Sequence, residues 1–444
     1  MMYRDSCRLL IDAVYEPHYA RYTDEFGKTI AGFFSDEPEL GNGQSYPDGN
    51  MPGTPQDLPW SRSLEDELPS ALGRAWKNLL SLLWENKADP RLTAKVRYAY
   101  MDTVTRLVEN CFSRQIGDWC ERHGVEYIGH LIEDNNQHSR TGSSLGHFFR
   151  GLAGQHMAGI DDIGGQVLPQ GEDEPLIRMS IIPRDGEFYH YLLGKLASSH
   201  AAIDPRKKGR ALCEIFGAYR WREGVQLEKY LVDHFLVRGI NYFVPHTFSP
   251  KPYPDPDAPP HFYAQGHNPQ YRHFEELMAY TNRLCGLVSG GTRVAPVAVL
   301  YHAEAEWSGG KYMLSQKPAR VLLDNQIDFD IIPADVFTEI GLYQTNLEGG
   351  LRINARRYQA LLIPAAEYLP VAIVRSAAKL HSSGFPIIFV DNLPRETIGN
   401  GDKFIKDLEG CPIVSLEHLA ANLRERDVHE IEIDPPNKRL RYLH

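Results

Sequence analysis

Two glutamates stand where a carboxylate can do chemistry. Glu37 lies in SDEPE, directly after the apolar run TIAGFF (29–34). Pro38 has no N–H, so it ends a strand ladder and stiffens the turn that carries Glu37. Glu214 lies inside ALCEIFGAYRW, with apolar residues on both sides. A carboxylate in a buried strand is costly unless it is paired or used. The plain alternatives are an exposed acidic turn for Glu37 and a structural pair with Arg220 or Arg222 for Glu214. Two carboxylates at the ends of different strands suit glycosidic bond cleavage. One protonates the leaving oxygen, and the other attacks the anomeric carbon or activates water. A separation near 5 Å means retention, and about 6.5–9.5 Å means inversion.

Further polar residues follow other apolar runs: His130, Glu133, Asp134, Asn135, Asp161, Asp162 and His246. They could bind sugar hydroxyls. Asp161-Asp162 could also help hold a hard cation, although one carboxylate pair is far from a full ligand set. Tyr219 and Trp221 are flat enough to stack on a sugar ring, or simply to pack. Gly217 would let a ligand approach the backbone closely.

The elements that must position these groups alternate. Strands are expected at 29–34, 125–132, 157–160, 211–216 and 240–246, and helices at about 3–27, 70–86, 91–123, 145–154, 187–201, 224–238 and 270–287. A loop rich in Pro and Gly covers about 41–68. Strand–helix alternation with hydrophobic strands means an α/β fold with a parallel sheet under helices. No Gly-rich phosphate loop follows any strand, and acidic groups gather at strand ends. Both points favour part of a (β/α)8 TIM-type barrel over a doubly wound sheet. If 240–246 is the eighth strand, then 211–216 is the seventh and 29–34 the fourth. The expected piece is therefore strands four to eight. Beyond residue 290 further strands at 292–301, 329–334, 358–365 and 385–391 alternate with helices, a second, smaller α/β unit. The expected division is 1–288, 289–425 and a β-rich start at 426–444.

The composition bounds the partners. The chain has 444 residues, a net charge of −11, 42% hydrophobic and 24% charged residues. That profile is globular, and the acidic balance argues against nucleic acid and anionic membrane surfaces. Six scattered cysteines without a CxxC pair suit reduced thiols and a cytoplasmic setting, with export of a longer parent chain left open. No run of about 18 apolar residues exists to span a membrane. Aromatics are 11%, which fits cores, interfaces and sugar-stacking surfaces alike.

The stretches GFFSDEPEL, GHLIEDNNQ, GIDDIGGQ, CEIFGAYRW and GINYFVPHTFS resemble the barrel half of large multidomain glycoside hydrolases related to α-L-rhamnosidases. More distantly they resemble β-galactosidase-type barrels followed by an amidotransferase-like domain. The resemblance covers roughly 20–250, and the unit at about 292–395 fits the amidotransferase-like domain. It implies Glu37 as general acid and Glu214 as the second catalytic carboxylate. A rhamnosidase-like chain would invert and use calcium. A galactosidase-like chain would retain without metal. No cofactor is otherwise implied. The second unit lacks a Cys-nucleophile signature, so it is expected to serve architecture or assembly, including a homo-oligomer. Barrel strands one to three are missing from this count, and RYLH reads as the start of a sandwich, so the chain looks shortened at both ends. A carbohydrate substrate is the expected partner. The competing readings are a non-catalytic carbohydrate-binding or assembly protein derived from a decayed barrel, and an α/β enzyme whose carboxylates serve a metal.

Overall fold

The computed structural model describes residues 1–43, 49–86, 89–132, 134–173, 185–399 and 401–444. The expected strands form, four of them shorter than their apolar runs and the third extended through Asp161 and Asp162. They are β1 (Gly32–Ser35), β2 (Glu126–Gly129), β3 (Ala158–Asp162), β4 (Ala211–Ile215) and β5 (Tyr242–Pro245). β1 pairs with β2, and β3, β4 and β5 pair in that order, every pair parallel. The two ladders meet at a seam between β2 and β3. There the His156 N–H donates to the Tyr127 carbonyl, and the His156 imidazole Nδ1 accepts from the Tyr127 N–H. The seam is closed by glycine: a Cβ at Gly159 would sit 1.7 Å from the Gly129 carbonyl oxygen. The five strands thus make one continuous arc of a parallel barrel wall, covered outside by helices such as Pro90–Val108, Gly194–Ile203 and Val225–Leu236.

The second unit has its own five-stranded parallel sheet. Its strands are β6 (Val297–Leu300), β7 (Phe329–Ile332), β8 (Ala360–Pro364), β9 (Ile387–Val390) and β10 (Ile413–Val414), in spatial order β10-β9-β8-β6-β7. That is the doubly wound order of flavodoxin-like sheets. The first four strands are wholly buried, as expected for continuous Val/Ile/Leu runs under helices on both faces. Ion pairs tie the units together. The buried Arg150 guanidinium grips Asp335 with Nε–Oδ2 and Nη2–Oδ1 contacts of 2.8 Å each. Arg140 meets Glu306, and Lys195 meets Asp328. No helix among the described residues is long and apolar enough to cross a membrane.

Several expectations differ from the structure, among them the helix expected at 145–154, which is confined to Phe148–Gly151. The helix Arg62–Leu72 begins inside the stretch expected to be loop. Ser61 caps it by accepting from the Leu64 N–H, and Pro69 is accommodated within it. The expected long helix at 70–86 is instead the end of this helix and the 3₁₀ segment Trp76–Leu83. The strand expected at the start of 426–444 does not form. The tail runs across the second unit, where the Gln326 amide donates to the carbonyls of Asn437 and Leu440 and the Tyr442 hydroxyl donates to the Gln326 carbonyl.

Candidate active site

β1 ends at Ser35, and the chain turns at once. Glu37 takes a φ of +38°, a region that a residue with a long side chain seldom enters. The buried Pro38 follows. Backbone strain of this kind persists only where surrounding structure enforces it, and such places cluster at functional sites. The turn leaves the Asp36 side chain largely exposed and Glu37 half-buried.

His130 follows β2 and is buried. Its N–H donates to the Ser35 carbonyl, which ties it to the end of β1. Its imidazole Nδ1 lies 3.1 Å from the Leu131 carbonyl oxygen, so Nδ1 bears hydrogen. Its Nε2 lies 3.2 Å from Asp36 Oδ1 and 3.1 Å from Glu214 Oε2. Both neighbours are carboxylate oxygens. The imidazole thus lies between two acids and ties the turn after β1 to β4. His130 holds the Asp36 carboxyl below the usual range, helped by the charge of His246. Asp36, Glu37 and His130 each offer an atom within 4.8 Å of the others. The Glu37 carboxylate and the Glu214 carboxylate thus approach the same imidazole from two different strand ends.

Glu214 sits on β4 with its side chain 14% exposed. His130 is its ionic partner, and neither Arg220 nor Arg222 is within reach. In the parallel register Asp161 lies opposite Glu214, and Glu214 opposite Val244. Side chains alternate along a strand, so Asp161 shares the face of Glu214 and Asp162 points the other way. There the Tyr219 hydroxyl contacts both Asp162 oxygens, at 2.9 and 3.0 Å. The same hydroxyl lies 2.9 Å from the Val167 carbonyl oxygen and accepts from the Val167 N–H. Asp162 and Tyr219 are both buried and form a joint away from Glu214.

The remaining expected residues divide. His246 follows β5, and its N–H donates to the Ile215 carbonyl, which brings it to the same end of the arc. The space beside Gly217 is filled by Ile163 and His246, with contacts of 3.3–3.4 Å for an added Cβ, so protein rather than ligand makes the close approach. Trp221 is 44% exposed and meets Tyr253 and His261 edge-on. Glu133 lies outside the described residues. Asp134 and Asn135 open the 3₁₀ turn Asp134–Ser139, and their side chains are likewise outside.

Three groups escaped the sequence reading. Asp36 was one position from a residue already singled out, and only the turn geometry turns it toward His130. Glu223 lies 5% exposed, with both carboxyl oxygens buried and unpartnered. Nothing in REGVQ marks it out. The loop that bears it departs from β4 through Phe216, Ala218 and Arg220, all at positive φ (+83°, +54° and +69°). His138 is buried with both ring nitrogens unpartnered, against Phe148 and Phe188. Burial pushes it down to about 3, so it is a neutral packing group at neutral pH.

The donor set tests the calcium implied by the rhamnosidase resemblance. Asp36, Glu37 and His130 supply two carboxylates and one imidazole. Calcium takes six to eight oxygen ligands, and an imidazole suits a transition metal better. The residues present do not fit calcium.

No protein-family model matches the sequence, and no curated protein resembles it significantly. Solved structures resemble the fold. A rhamnosidase from Novosphingobium sp. PP1Y superposes with a TM-score of 0.64 over 96% of this chain and 39% of its own, at 16% identity. A β-galactosidase from Rahnella sp. R3 follows, with a TM-score of 0.55 over 87% of this chain and 54% of its own, at 13% identity. An exo-carrageenase from Bacteroides ovatus gives 0.52 over 88% and 56%, at 11% identity. The chain spans about two fifths to just over half the length of these neighbours. The fold is α/β with parallel sheets, an arc of a TIM-type barrel joined to a second α/β unit.

Proposed function

We propose that this chain carries the acid–base pair of a glycoside hydrolase that cleaves a terminal sugar, rhamnosidase-like or β-galactosidase-like. Glu37 is the general acid, and Glu214 is the second carboxylate, acting as base or nucleophile. One observation carries the reading: carboxylates from the ends of two different strands converge on one buried imidazole. His130 fixes Glu214 and, through Asp36, the turn that carries Glu37. Asp161 and His246 stand at the same end of the arc and would meet sugar hydroxyls. Trp221 is the exposed ring available for stacking on a sugar. The second unit, amidotransferase-like by resemblance, serves architecture or assembly.

The test is hydrolysis of a panel of aryl glycosides that includes α-L-rhamnoside and β-D-galactoside. Glu37→Gln and Glu214→Gln should each lower kcat by about 10²–10⁴, the usual contribution of a general acid or base. Turnover that survives either replacement overturns the assignment. Ligand-induced thermal stabilisation with no turnover at any pH would point to sugar binding without catalysis.

A further inference from the structure

Outside the barrel arc lies a second cavity, of about 310 Å³, between the helical segment Phe188–Leu193, the helix Val225–Leu236 and the C-terminal tail. It is lined by Arg238, Arg439 and Arg441, together with His190, His234 and Tyr230. Arg238 is 4% exposed. Its Nε donates to the His190 carbonyl at 2.8 Å and its Nη1 to the His234 carbonyl at 2.6 Å. These bonds close the end of the helix Val225–Leu236, but both acceptors are neutral. Among the described residues, Arg238 has no carboxylate within ion-pair distance and makes no side-chain hydrogen bonds beyond these two. A buried, unpaired guanidinium is costly, and buried charges are normally matched.

The neighbours deepen the mismatch. Arg441 is held by Asp324 at 2.9 Å, yet its Nε is buried without an acceptor. Nε2 of His190 and Nε2 of His234 are also unpartnered. Of the two carboxylates in the wall, Asp233 is engaged by Lys229 and by the Tyr280 hydroxyl, both at 2.6 Å. Glu172 is the remaining acid; among the described residues it makes no ion pair, though its charge reaches Arg238. Burial and the charge of Arg441 push Arg238 down to about 9, against a smaller pull from Tyr230, Tyr191 and Glu172.

We propose that this cavity is a binding site for a small oxyanion ligand, a phosphate or a carboxylate of sugar size, with Arg238 and Arg439 as its charged contacts. Guanidinium forks match the planar or tetrahedral oxygens of such groups two at a time. A volume near 310 Å³ sits at the lower end of small-molecule sites, enough for an anion with a sugar-sized body. Tyr230 and the two imidazoles offer flat walls for that body. Nothing in this site depends on Glu37 or Glu214.

The test is isothermal titration of the full chain with inorganic phosphate and, separately, with a hexuronic acid. Binding of either with a Kd in the millimolar range or tighter supports the site, and the arm that binds names the source of the anion. Arg439→Gln is on the surface and should leave the fold intact. It should weaken binding roughly tenfold, the usual worth of one charge-assisted hydrogen bond. Arg238→Met should abolish binding. Absence of heat with both anions up to about 20 mM, or an unchanged Kd in Arg439→Gln, overturns the proposal.

Discussion

Glu223 offers the sharpest quantitative test of how the loop after β4 is built. The side chain is 5% exposed, and both carboxyl oxygens are buried and hydrogen-bonded to nothing. Burial, with Glu228 and Asp162 close by, pushes the carboxyl up to about 10. At neutral pH the folded protein therefore keeps a proton that the unfolded chain, with an ordinary glutamate near 4.3, has released. The folded value is the raised one. The contribution to stability is thus intact below about pH 4.3 and is lost progressively as pH rises toward 10, at about 1.4 kcal/mol per unit. Glu223→Gln keeps the shape and removes the titration. The variant should match the parent near pH 4.5 and gain on it at each step above. The gap should widen by up to about 4 kcal/mol between pH 5 and pH 8, an upper figure because neighbouring acids share the proton. Urea denaturation followed by tryptophan fluorescence at about pH 5, 6.5 and 8 reads the gap directly. A gap that stays constant across this range would refute a buried, protonated Glu223.

Further outcomes follow from other contacts. Replacing His130 by Gln should return the Asp36 carboxyl toward its ordinary value near 3.9, read by NMR titration, because His130 is the main cause of its lowering. Arg150→Met removes the cation between Asp335 and Asp102 and leaves the buried Asp335 with Arg106 alone, at 2.7 Å. Leaving a buried charge without any partner costs about 3–5 kcal/mol, so with Arg106 still in place the loss should fall below that and show as a lower denaturation midpoint. Gly159→Ala places a methyl 1.7 Å from the Gly129 carbonyl, so β2 and β3 must separate. The expected result is loss of cooperative unfolding or of soluble expression.

The barrel arc and the second sheet were legible because their strands are apolar on both faces. A run such as AVLY or IIFV has few other places to go in a parallel sheet. The two glutamates were legible for the same reason, as carboxylates that end or interrupt such runs. Pairings were less visible. Glu214 meets His130, 84 residues away, rather than the nearby Arg220 or Arg222, and only the β2–β3 seam and the β3–β4 ladder bring that imidazole close. Asp161 and Asp162 read alike in sequence, yet strand parity gives one to the face of Glu214 and the other to Tyr219. The helix Arg62–Leu72 falls inside the expected loop, and the capping Ser61 and the buried Leu64 and Leu68 sustain it across Pro69. The tail at 426–444 has β-like residues but no ladder to join, so its polar groups satisfy Gln326 instead.

The doubled aspartate of β3 bears on how the strand finds its alignment. In most half-buried strands a shift of one residue exchanges polar for apolar faces and is rejected on that ground. Here a shift of one toward the carboxyl end would still offer an acid to each side of the wall, so the carboxylates discriminate poorly between the two alignments. The glycine does discriminate. Only at residue 159 can the backbone pass the Gly129 carbonyl, and a shift would put Ala158 or Ile160 there. The position of the chemistry along β3 is therefore set by the residue that has no side chain at all.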